Sequence, residues 1–307
     1  MRAVFFGTPA IAVPALQALS RLYEVVGVVC QPDRPSGRGL RQRAPAIKMA
    51  AQELGLELHQ PAKVRVGLDT WLESLEPEVA VVLAYGRILP ETVLRVPRHG
   101  CINLHASLLP KYRGAAPIQW ALYHGERVTG ISLMQMDPGL DTGPVFCTRN
   151  LEIAEHETGA DLEHRMALLA AEVVEHDLPK ALSGALLAVP QDHGAATHAP
   201  PIVAKHCEIE WGRSAFDIAC QVRALAPRPA ARTHVGSRSF KILRARVASE
   251  GVQGPPGTIS FTPDRRIVIQ AGEGALEILE GQVEGRKALG ARDLINGRAL
   301  RDGDLLS

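Results

Sequence analysis

The chain has 307 residues, 46% of them hydrophobic, and its 34 Lys and Arg side chains are balanced by 33 Asp and Glu side chains. This composition excludes an intrinsically disordered chain, and the net charge points to no particular partner. Because one hydrophobic core rarely serves so long a chain, we expect two domains.

The five cysteines are widely scattered and form no C-x-x-C pair. This pattern excludes a disulfide framework and a zinc knuckle, and it is typical of reduced thiols in the cytosol. The apolar start MRAVFFG is too short for a signal peptide, and no window approaches the roughly 20 apolar residues of a membrane span. We therefore expect a cytoplasmic protein with no membrane partner.

The first part of the sequence alternates apolar, strand-like runs with helical patterns. The strand candidates are 2–6, 25–30, 79–84, 102–105 and 131–136, and the helix candidates are 13–21, 46–54 and 161–182. The strand runs are almost continuously apolar, which is typical of parallel strands that are buried on both faces. The alternation predicts an α/β fold with a doubly wound, Rossmann-like, mainly parallel sheet.

The residue composition changes near AVPQDHGAATHAPPIVAKH (188–206), where Pro, Gly, Ala and His replace the helical pattern. Such a stretch is typical of a linker. Beyond it, one helix candidate (214–225) precedes short strand candidates at 240–247, 257–261, 266–270 and 276–282, separated by Gly- and Pro-rich turns. This spacing predicts a small, OB-like β-barrel. We expect a first domain at 1–188, a linker at 189–207 and the barrel at 208–307.

Basic residues are concentrated in two segments. From 213 to 246, eight basic residues meet one acid, Asp217. The loop QPDRPSGRGLRQRAPAIK (31–48) has no acid after Asp33, and its Gly and Pro content predicts no regular structure. A long basic loop beside the carboxyl edge of a sheet suits a polyanion better than it suits packing. For both segments a solvated surface is the alternative, and on a small β-barrel a nucleic-acid surface gains weight.

Two further patterns argue against common cofactors. The first strand–helix turn, FFGTPAIAVPAL, has one glycine, Gly7, where a dinucleotide fingerprint needs three. His156, His164 and His176 do not have the i, i+4 spacing of a zinc ligand pair on a helix. We therefore expect neither NAD, FAD nor a metal ion.

Polar side chains end the apolar run in CINLHASLLPKYRGAAP (101–117). Asn103 and His105 are two residues apart and so share one face of a strand. The loop MDPGLDTG (136–143) follows another strand candidate and offers Asp137 or Asp141 as a third polar group. In an open α/β sheet, the ligand crevice lies beyond the carboxyl ends of the strands.

These residue types suit one kind of chemistry. No nucleophile elbow such as G-x-S-x-G occurs, so a covalent acyl-enzyme is not indicated. An Asn donor, with a His whose protonated form a carboxylate favours, can support direct acyl transfer from one substrate to another. The alternative is a hydrogen-bonded core histidine with an unrelated asparagine.

Taken together, these motifs resemble the formyltransferases that use 10-formyltetrahydrofolate. The resemblance rests on Asn103, His105 and the segments SLLPKYRGAAPIQWA and MDPGLDTG, and it weakens beyond the first domain. The segments GTP, QPDRPSGRG, AYGRILP (84–90) and MQMDPGLDTG are similar to the branch of the family that formylates methionyl initiator tRNA. The resemblance implies 10-formyltetrahydrofolate as formyl donor with release of tetrahydrofolate, methionyl initiator tRNA as acceptor, a tRNA-binding C-terminal domain, no metal, and a monomer.

The resemblance also implies roles by position. It places catalysis on Asn103, His105 and Asp141, the last preferred to Asp137 because it precedes Thr-Gly. The implied folate contacts are Ser107, Leu108, Leu109 and Pro110 in one loop, with Tyr85, Gly86, Ile88 and Leu89 as an apolar wall for the pterin. Arg38, Arg41 and Arg43 resemble the inserted loop that enters the tRNA acceptor stem.

The sequence departs from the family pattern in three places. Pro200-Pro201 replaces an acidic-Lys pair in the linker, Arg228 stands where a Trp is common, and the basic residues of the inserted loop are arranged differently. These departures bear on tRNA contacts rather than on formyl transfer. Three other functions stay open: transfer to another amine, such as a sugar nucleotide or glycinamide ribonucleotide, hydrolysis of the formyl-folate, and a non-catalytic RNA-binding module. The barrel and the basic loop argue against glycinamide ribonucleotide as the acceptor, and the intact polar trio argues against the non-catalytic module.

Overall fold

The computed structural model describes residues 1–36 and 41–307. The chain forms two compact units, each assembled from several segments. The first unit comprises Met1–Pro117, Val128–Glu152 and Glu163–Pro200, and the second comprises Ile118–Arg127, Ile153–Leu162 and Pro201–Ser307.

The strands, in chain order, are β1 (Arg2–Gly7), β2 (Glu24–Val29), β3 (Arg34–Ser36), β4 (Arg41–Arg43), β5 (Leu58–His59), β6 (Val79–Leu83), β7 (Cys101–His105), β8 (Arg113–Gly114), β9 (Val128–Gln135), β10 (Val145–Glu152), β11 (His198–Ala199), β12 (Ala231–Val235), β13 (Arg238–Val247), β14 (Ile259–Phe261), β15 (Ile267–Gln270), β16 (Ala275–Val283) and β17 (Leu289–Gly290). The α-helices are α1 (Val13–Leu22), α2 (Ala46–Glu53), α3 (Leu68–Leu75), α4 (Glu91–Leu94), α5 (Pro117–Tyr123), α6 (Gly159–His176), α7 (Leu178–Leu182), α8 (Ala215–Leu225) and α9 (Ala291–Asn296).

The first unit is built on a seven-stranded sheet with the order β10-β9-β7-β6-β1-β2-β5. Strands β7, β6, β1, β2 and β5 pair in parallel, whereas β9 pairs antiparallel with both β7 and β10. The mainly parallel, Rossmann-like sheet is confirmed. The prediction that the strand at 131–136 is parallel is wrong. A run of apolar residues indicates that a strand is buried, but it does not indicate in which direction the strand runs.

Helices cover the sheet and fix its core. Val4 and Phe6 of β1 belong to a buried cluster with Leu68 and Leu72 of α3. Helix α1 contacts β1 and β2 and fully buries Leu16 outside that cluster. Alternate residues of β1 thus point to opposite layers, as the period of a strand requires.

Two local predictions in this unit need correction. The helix expected at 161–182 is interrupted at Asp177, and the short helix α7 begins at Leu178 with Pro179 in its first turn. A proline lacks the N–H that would continue the first helix. The segment 31–48 is not devoid of regular structure, since Arg34–Ser36 and Arg41–Arg43 pair antiparallel. A two-stranded ladder tolerates Pro35 because half of its backbone groups face away from the partner strand.

The second unit contains an antiparallel sheet with the order β12-β13-β16-β15-β14, and β17 pairs with β16. Helix α8 packs on β13 and β16 and is capped by Ser214, whose hydroxyl accepts a hydrogen bond from the N–H of Asp217 at 3.1 Å. The last residues close the sheet, because Leu306 bridges to Val235 of β12 and Leu305 to Thr258 beside β14. The small C-terminal β domain is confirmed.

Candidate active site

His105 is the last residue of β7 and is only 6% exposed. Its Nε2 lies 2.9 Å from the carbonyl oxygen of Tyr112. A carbonyl can only accept, so Nε2 carries a proton and donates it to Tyr112. The ring is therefore fixed through Nε2, and Nδ1 is the nitrogen left for chemistry.

Asp141 faces that second nitrogen. Its Oδ2 lies 3.7 Å from His105 Nδ1 and accepts a hydrogen bond from the backbone N–H of Gly114 at 2.8 Å. A separation of 3.7 Å is an ion-pair distance but longer than a hydrogen bond. The carboxylate therefore lies beside Nδ1 without forming a hydrogen bond to it, and Nδ1 can address a third atom.

The route by which Asp141 reaches His105 was not foreseen. Because β9 runs antiparallel, its end at Gln135 lies opposite Ile102, near the beginning of β7 rather than beyond its carboxyl end. The loop 136–144 folds back to bring Asp141 to the histidine, with Asp141 at φ +53°. The structure therefore brings the three residues together by a different path from that expected.

Asp137, the other acid of this loop, has a different environment. Its carboxylate accepts the hydroxyl of Thr142 at 2.7 Å and the N–H of Gly139 at 3.1 Å. These are bonds within the loop, so Asp137 stabilises the turn while Asp141 faces the histidine.

Asn103 lies two residues before His105 on the same strand and is 8% exposed. Among the described residues its side chain makes no hydrogen bond. Its amide atoms are not among the fully buried polar atoms that lack a partner, so they reach solvent, where a bound group can pair with them. Asn103 is therefore a free donor beside a histidine and a carboxylate, which suits stabilisation of an oxyanion.

The loop predicted to contact folate, Ser107–Pro110, is held tightly. The hydroxyl of Ser107 donates to the carbonyl of Lys111 at 2.6 Å, and the hydroxyl of Ser132 bridges the loop. Ser132 donates to Ser107 O at 2.6 Å and accepts from Leu109 N at 2.9 Å. Leu108 lies beside Gly130, and Leu108 and Pro110 are only partly buried. The hydroxyl of Ser107 is used within the protein.

The predicted pterin wall follows β6. Tyr85 is 2% exposed and Leu89 3%, whereas Ile88 is 76% exposed and Gly86 is also exposed. Gly86 has φ +78°, and a Cβ there would lie 2.5 Å from Gln31 Nε2, so glycine is required for the turn. The structure thus separates the buried pair of this segment from the exposed pair.

The buried hydroxyl of Tyr85 has no hydrogen-bond partner within the described structure. Burial raises the pKa of Tyr85 to about 12, so the group remains a neutral donor at physiological pH. It is a buried polar group without a protein partner, which a polar ligand such as a pterin could satisfy. The residues present therefore fit a folate cosubstrate.

The predicted tRNA-contacting arginines fall at the edge of what the structure describes. Arg41 and Arg43 belong to β4, with Arg43 paired to Arg34 and Arg41 to Ser36. Arg38 lies outside the described residues.

Sequence reasoning missed three polar residues that contact this site. Arg113 is 5% exposed, Gln191 is 9% exposed, and Thr197 accepts a hydrogen bond from Tyr112 N at 2.8 Å. Arg113 lies inside the quoted SLLPKYRG segment, where a charged residue among buried neighbours is a usable signal. Gln191 and Thr197 lie in the stretch that composition assigned to a linker, and no motif marks them.

The described residues contain neither a candidate metal site nor a candidate membrane span. No group of three or more His, Cys, Asp or Glu side chains that could hold a metal ion occurs within 1–36 and 41–307. None of the helices described there is long and apolar enough to cross a membrane.

Comparison with known proteins decides the family. The model of the formyl transferase domain matches residues 1–177, and the model of the formyl transferase C-terminal domain matches residues 201–299. A methionyl-tRNA formyltransferase of Sorangium cellulosum is 51% identical over 100% of this chain and 99% of its own length. The chain belongs to the methionyl-tRNA formyltransferase family.

Solved structures agree with the fold of this family. A methionyl-tRNA formyltransferase from Clostridium thermocellum superposes with a TM-score of 0.56 at 18% identity, covering 83% of this chain and 97% of the other. An N-formyltransferase from Helicobacter canadensis, solved with folinic acid and dTDP-3-aminofucose, gives a TM-score of 0.70 at 16% identity, covering 90% and 98%. At such identities these structures establish the shared fold alone.

Proposed function

We propose that this methionyl-tRNA formyltransferase family member transfers the formyl group of 10-formyltetrahydrofolate to the α-amino group of methionyl initiator tRNA, with Asn103, His105 and Asp141 as catalytic residues. The observation that carries the assignment of residues is the 3.7 Å approach of Asp141 to His105 Nδ1, beside a buried asparagine with a free amide. The sequence contains no nucleophile elbow such as G-x-S-x-G, which suits direct transfer between two bound substrates.

In this mechanism Asn103 donates an N–H to the oxygen anion that develops as the amine attacks the formyl carbon. His105 is anchored through Nε2, and its Nδ1 proton faces the reacting atoms. Asp141, 3.7 Å from that nitrogen, stabilises the positive charge that the ring carries while it holds the transferred proton. The bond from the amine nitrogen to the formyl carbon forms, and the bond from that carbon to the folate nitrogen breaks. One proton passes from the amine to the folate nitrogen through the His105–Asp141 pair, so the folate nitrogen leaves as a neutral amine.

Folate would contact the first unit. The loop Ser107–Pro110 and the segment with Tyr85, Gly86, Ile88 and Leu89 are the surfaces that we assign to it. The free hydroxyl of Tyr85 and the two hydrogen bonds of Ser132 support a rigid, partly polar pocket.

For the acceptor we propose contacts from Arg38, Arg41 and Arg43 and from the C-terminal β domain. We propose that residues 1–188 form the catalytic domain, 189–207 the linker and 208–307 the tRNA-binding domain. We also propose a cytoplasmic monomer, which the five free cysteines support. Replacing the three arginines with Ala should weaken tRNA binding and flatten its salt dependence, because fewer phosphates are neutralised.

The test of the function is an acceptor panel with labelled 10-formyltetrahydrofolate. Initiator methionyl-tRNA, elongator methionyl-tRNA, glycinamide ribonucleotide, a 3-amino sugar nucleotide and water alone are compared as acceptors. Fast labelling of the initiator tRNA is expected. Release of formate without a tRNA product, or labelling of the sugar or the ribonucleotide instead, would refute the acceptor while leaving the formyl donor in place. Pro200-Pro201 and Arg228 would then be examined first.

A further inference from the structure

The segment 191–199 is packed against the His105–Asp141 pair. Within it β11 runs parallel to β8, with His198 opposite Arg113 and Ala199 opposite Gly114. The N–H of Gly114 is the group that holds Asp141 Oδ2 at 2.8 Å. The strand pair thus connects the end of this segment with the catalytic carboxylate.

Gln191 holds the loop that carries Asp141. Its Nε2 donates to the backbone carbonyls of Asp141 at 2.9 Å and Gly143 at 2.7 Å. Its Oε1 accepts from Arg113 Nε at 3.1 Å and from Arg113 Nη2 at 2.7 Å. Both donors and both lone pairs of the amide are used, so its orientation is fixed. His193 Nδ1 lies 3.2 Å from Arg113 Nη2 and further restrains the guanidinium.

The backbone that Gln191 holds needs support. Asp141 has φ +53°, a conformation that a residue other than glycine keeps only where its surroundings hold it. The two carbonyls bonded to Gln191 flank Thr142, so the amide spans the turn from one side to the other. Loss of those bonds would let Asp141 relax away from His105.

Thr197 supports the other member of the pair. Its hydroxyl accepts the N–H of Tyr112 at 2.8 Å, and Tyr112 has φ +60°. The carbonyl of Tyr112 is the acceptor for His105 Nε2 at 2.9 Å. The Thr197 carbonyl also accepts the N–H of Arg113 at 2.9 Å. Thr197 therefore fixes the peptide that fixes the histidine ring.

We propose that Gln191 and Thr197 are positioning residues that set the distance between Asp141 and His105 Nδ1, one through the aspartate loop and the other through Tyr112. Neither is proposed to touch the reacting atoms. The inference rests on the proposed function, because it assigns the pair a reaction to perform.

Two conservative substitutions test it. Gln191→Glu retains an oxygen for Arg113 and removes the N–H donors to both carbonyls. Thr197→Val removes the acceptor for Tyr112 N with little change in shape. Matched controls lie in the second unit, where Gln270 Nε2 donates to two carbonyls at 2.9 and 3.1 Å and Thr262 Oγ1 accepts the N–H of Arg266 at 3.0 Å. The control variants are Gln270→Glu and Thr262→Val. Because this domain is the proposed tRNA-binding domain, the controls are compared by kcat at saturating tRNA, and a change in their KM for tRNA does not count against them.

The expected result is a fall in kcat, because a misplacement of about 1 Å costs up to ~100-fold in rate. We expect kcat of Gln191→Glu to fall by roughly 10- to 100-fold and that of Thr197→Val by about 10-fold, with KM for both substrates within about twofold. The controls should keep kcat while losing a similar amount of thermal stability. In an Asp141→Asn background, adding Gln191→Glu should lower kcat by a further factor of less than about three, because the carboxylate through which Gln191 acts is already absent.

Several outcomes would overturn the proposal. Unchanged kcat in both variants would do so, as would a rise in KM alone. Additive losses in the Asp141→Asn background would show that Gln191 acts independently of the aspartate. If Gln191→Glu does not fold, Thr197→Val decides the question by the same criteria. A wild-type protein that does not formylate methionyl-tRNA refutes the proposed function, and the inference with it, whereas an active wild type with unaffected variants refutes the inference alone.

Discussion

Replacing Asp141 with Asn removes one charge from the candidate site and little else. The amide oxygen can still accept the Gly114 N–H that Oδ2 accepts at 2.8 Å, so the loop should keep its path. What is lost is the attraction between the carboxylate and the positive charge that the proposed mechanism places on His105 during transfer, with the nearest atoms of the two side chains 3.7 Å apart. The two side chains are 6% and 15% exposed, so solvent screens this attraction weakly.

The size of the effect follows from that distance. Two opposite unit charges at 3.7 Å attract by about 4 kcal/mol at an effective dielectric constant of roughly 20. Each ~1.4 kcal/mol of lost transition-state stabilisation is about tenfold in rate. We therefore expect kcat of Asp141→Asn to fall by up to about 1000-fold, with KM for methionyl-tRNA little changed.

The assay is single-turnover formyl transfer with saturating labelled donor and acceptor. Asp137→Asn is the matched control, because that carboxylate bonds Thr142 and Gly139 within the same loop and an amide oxygen can still accept from both. Asp137→Asn should lower the transfer rate by less than about tenfold. A rate for Asp141→Asn within tenfold of the wild type, or equal losses in the two variants, would refute the electrostatic reasoning.

Three further predictions concern stability and ligand binding. Tyr85→Phe removes a buried hydroxyl that has no partner among the described residues. In urea unfolding, the free protein should be as stable as the wild type or up to about 1 kcal/mol more stable, and KM for the folate should rise. A lower free energy of unfolding would contradict this. Gly143→Ala places a Cβ 1.9 Å from the carbonyl oxygen of Gln135. We expect the free energy of urea unfolding to fall by at least about 3 kcal/mol. Stability close to that of the wild type would show that the loop adapts freely. Arg149→Met leaves the 5% exposed carboxylate of Asp177 without its partner at 2.7 Å. The free energy of unfolding should fall by about 2–3 kcal/mol, less than for a fully buried pair because Arg149 is half exposed. Unchanged thermal and urea unfolding would show that the carboxylate is not desolvated.

Much of the first unit could be predicted because its strands are continuously apolar. The runs around Val4, Val81 and Leu104 are buried between helices or neighbouring strands, and burial on both faces leaves a pattern that periodicity detects. The alternation that puts Asn103 and His105 on one face is equally local, since it follows from the period of a strand. Both features depend on a few consecutive residues.

Features that depend on tertiary pairing were not predictable in the same way. Strands β10 and β12 were missed because neither is a continuous apolar run. No residue of β10 is fully buried, β12 alternates between buried and partly buried residues, and the two strands include Arg, Thr and His. The antiparallel direction of β9 is set by its partners. Its consequence, the folded-back loop that carries Asp141, therefore could not be derived from local pattern.

The role of the stretch around Gln191 was hidden for a related reason. Its Pro, Gly and Ala content is typical of a linker, yet it forms specific hydrogen bonds with residues about 50 and 80 positions earlier in the chain. Composition describes how freely a segment can move when unbonded. It does not describe the partners that the folded structure provides.

The most direct test of the account measures catalysis and binding together in His105→Ala. Transfer of labelled formyl to methionyl initiator tRNA is followed in a single turnover, and the affinity for the same tRNA is measured in parallel. The account predicts a transfer rate lower by orders of magnitude, with tRNA affinity within about twofold of the wild type. Near-normal transfer by this variant would contradict the claim that formyl transfer takes place at the Asn103, His105 and Asp141 site.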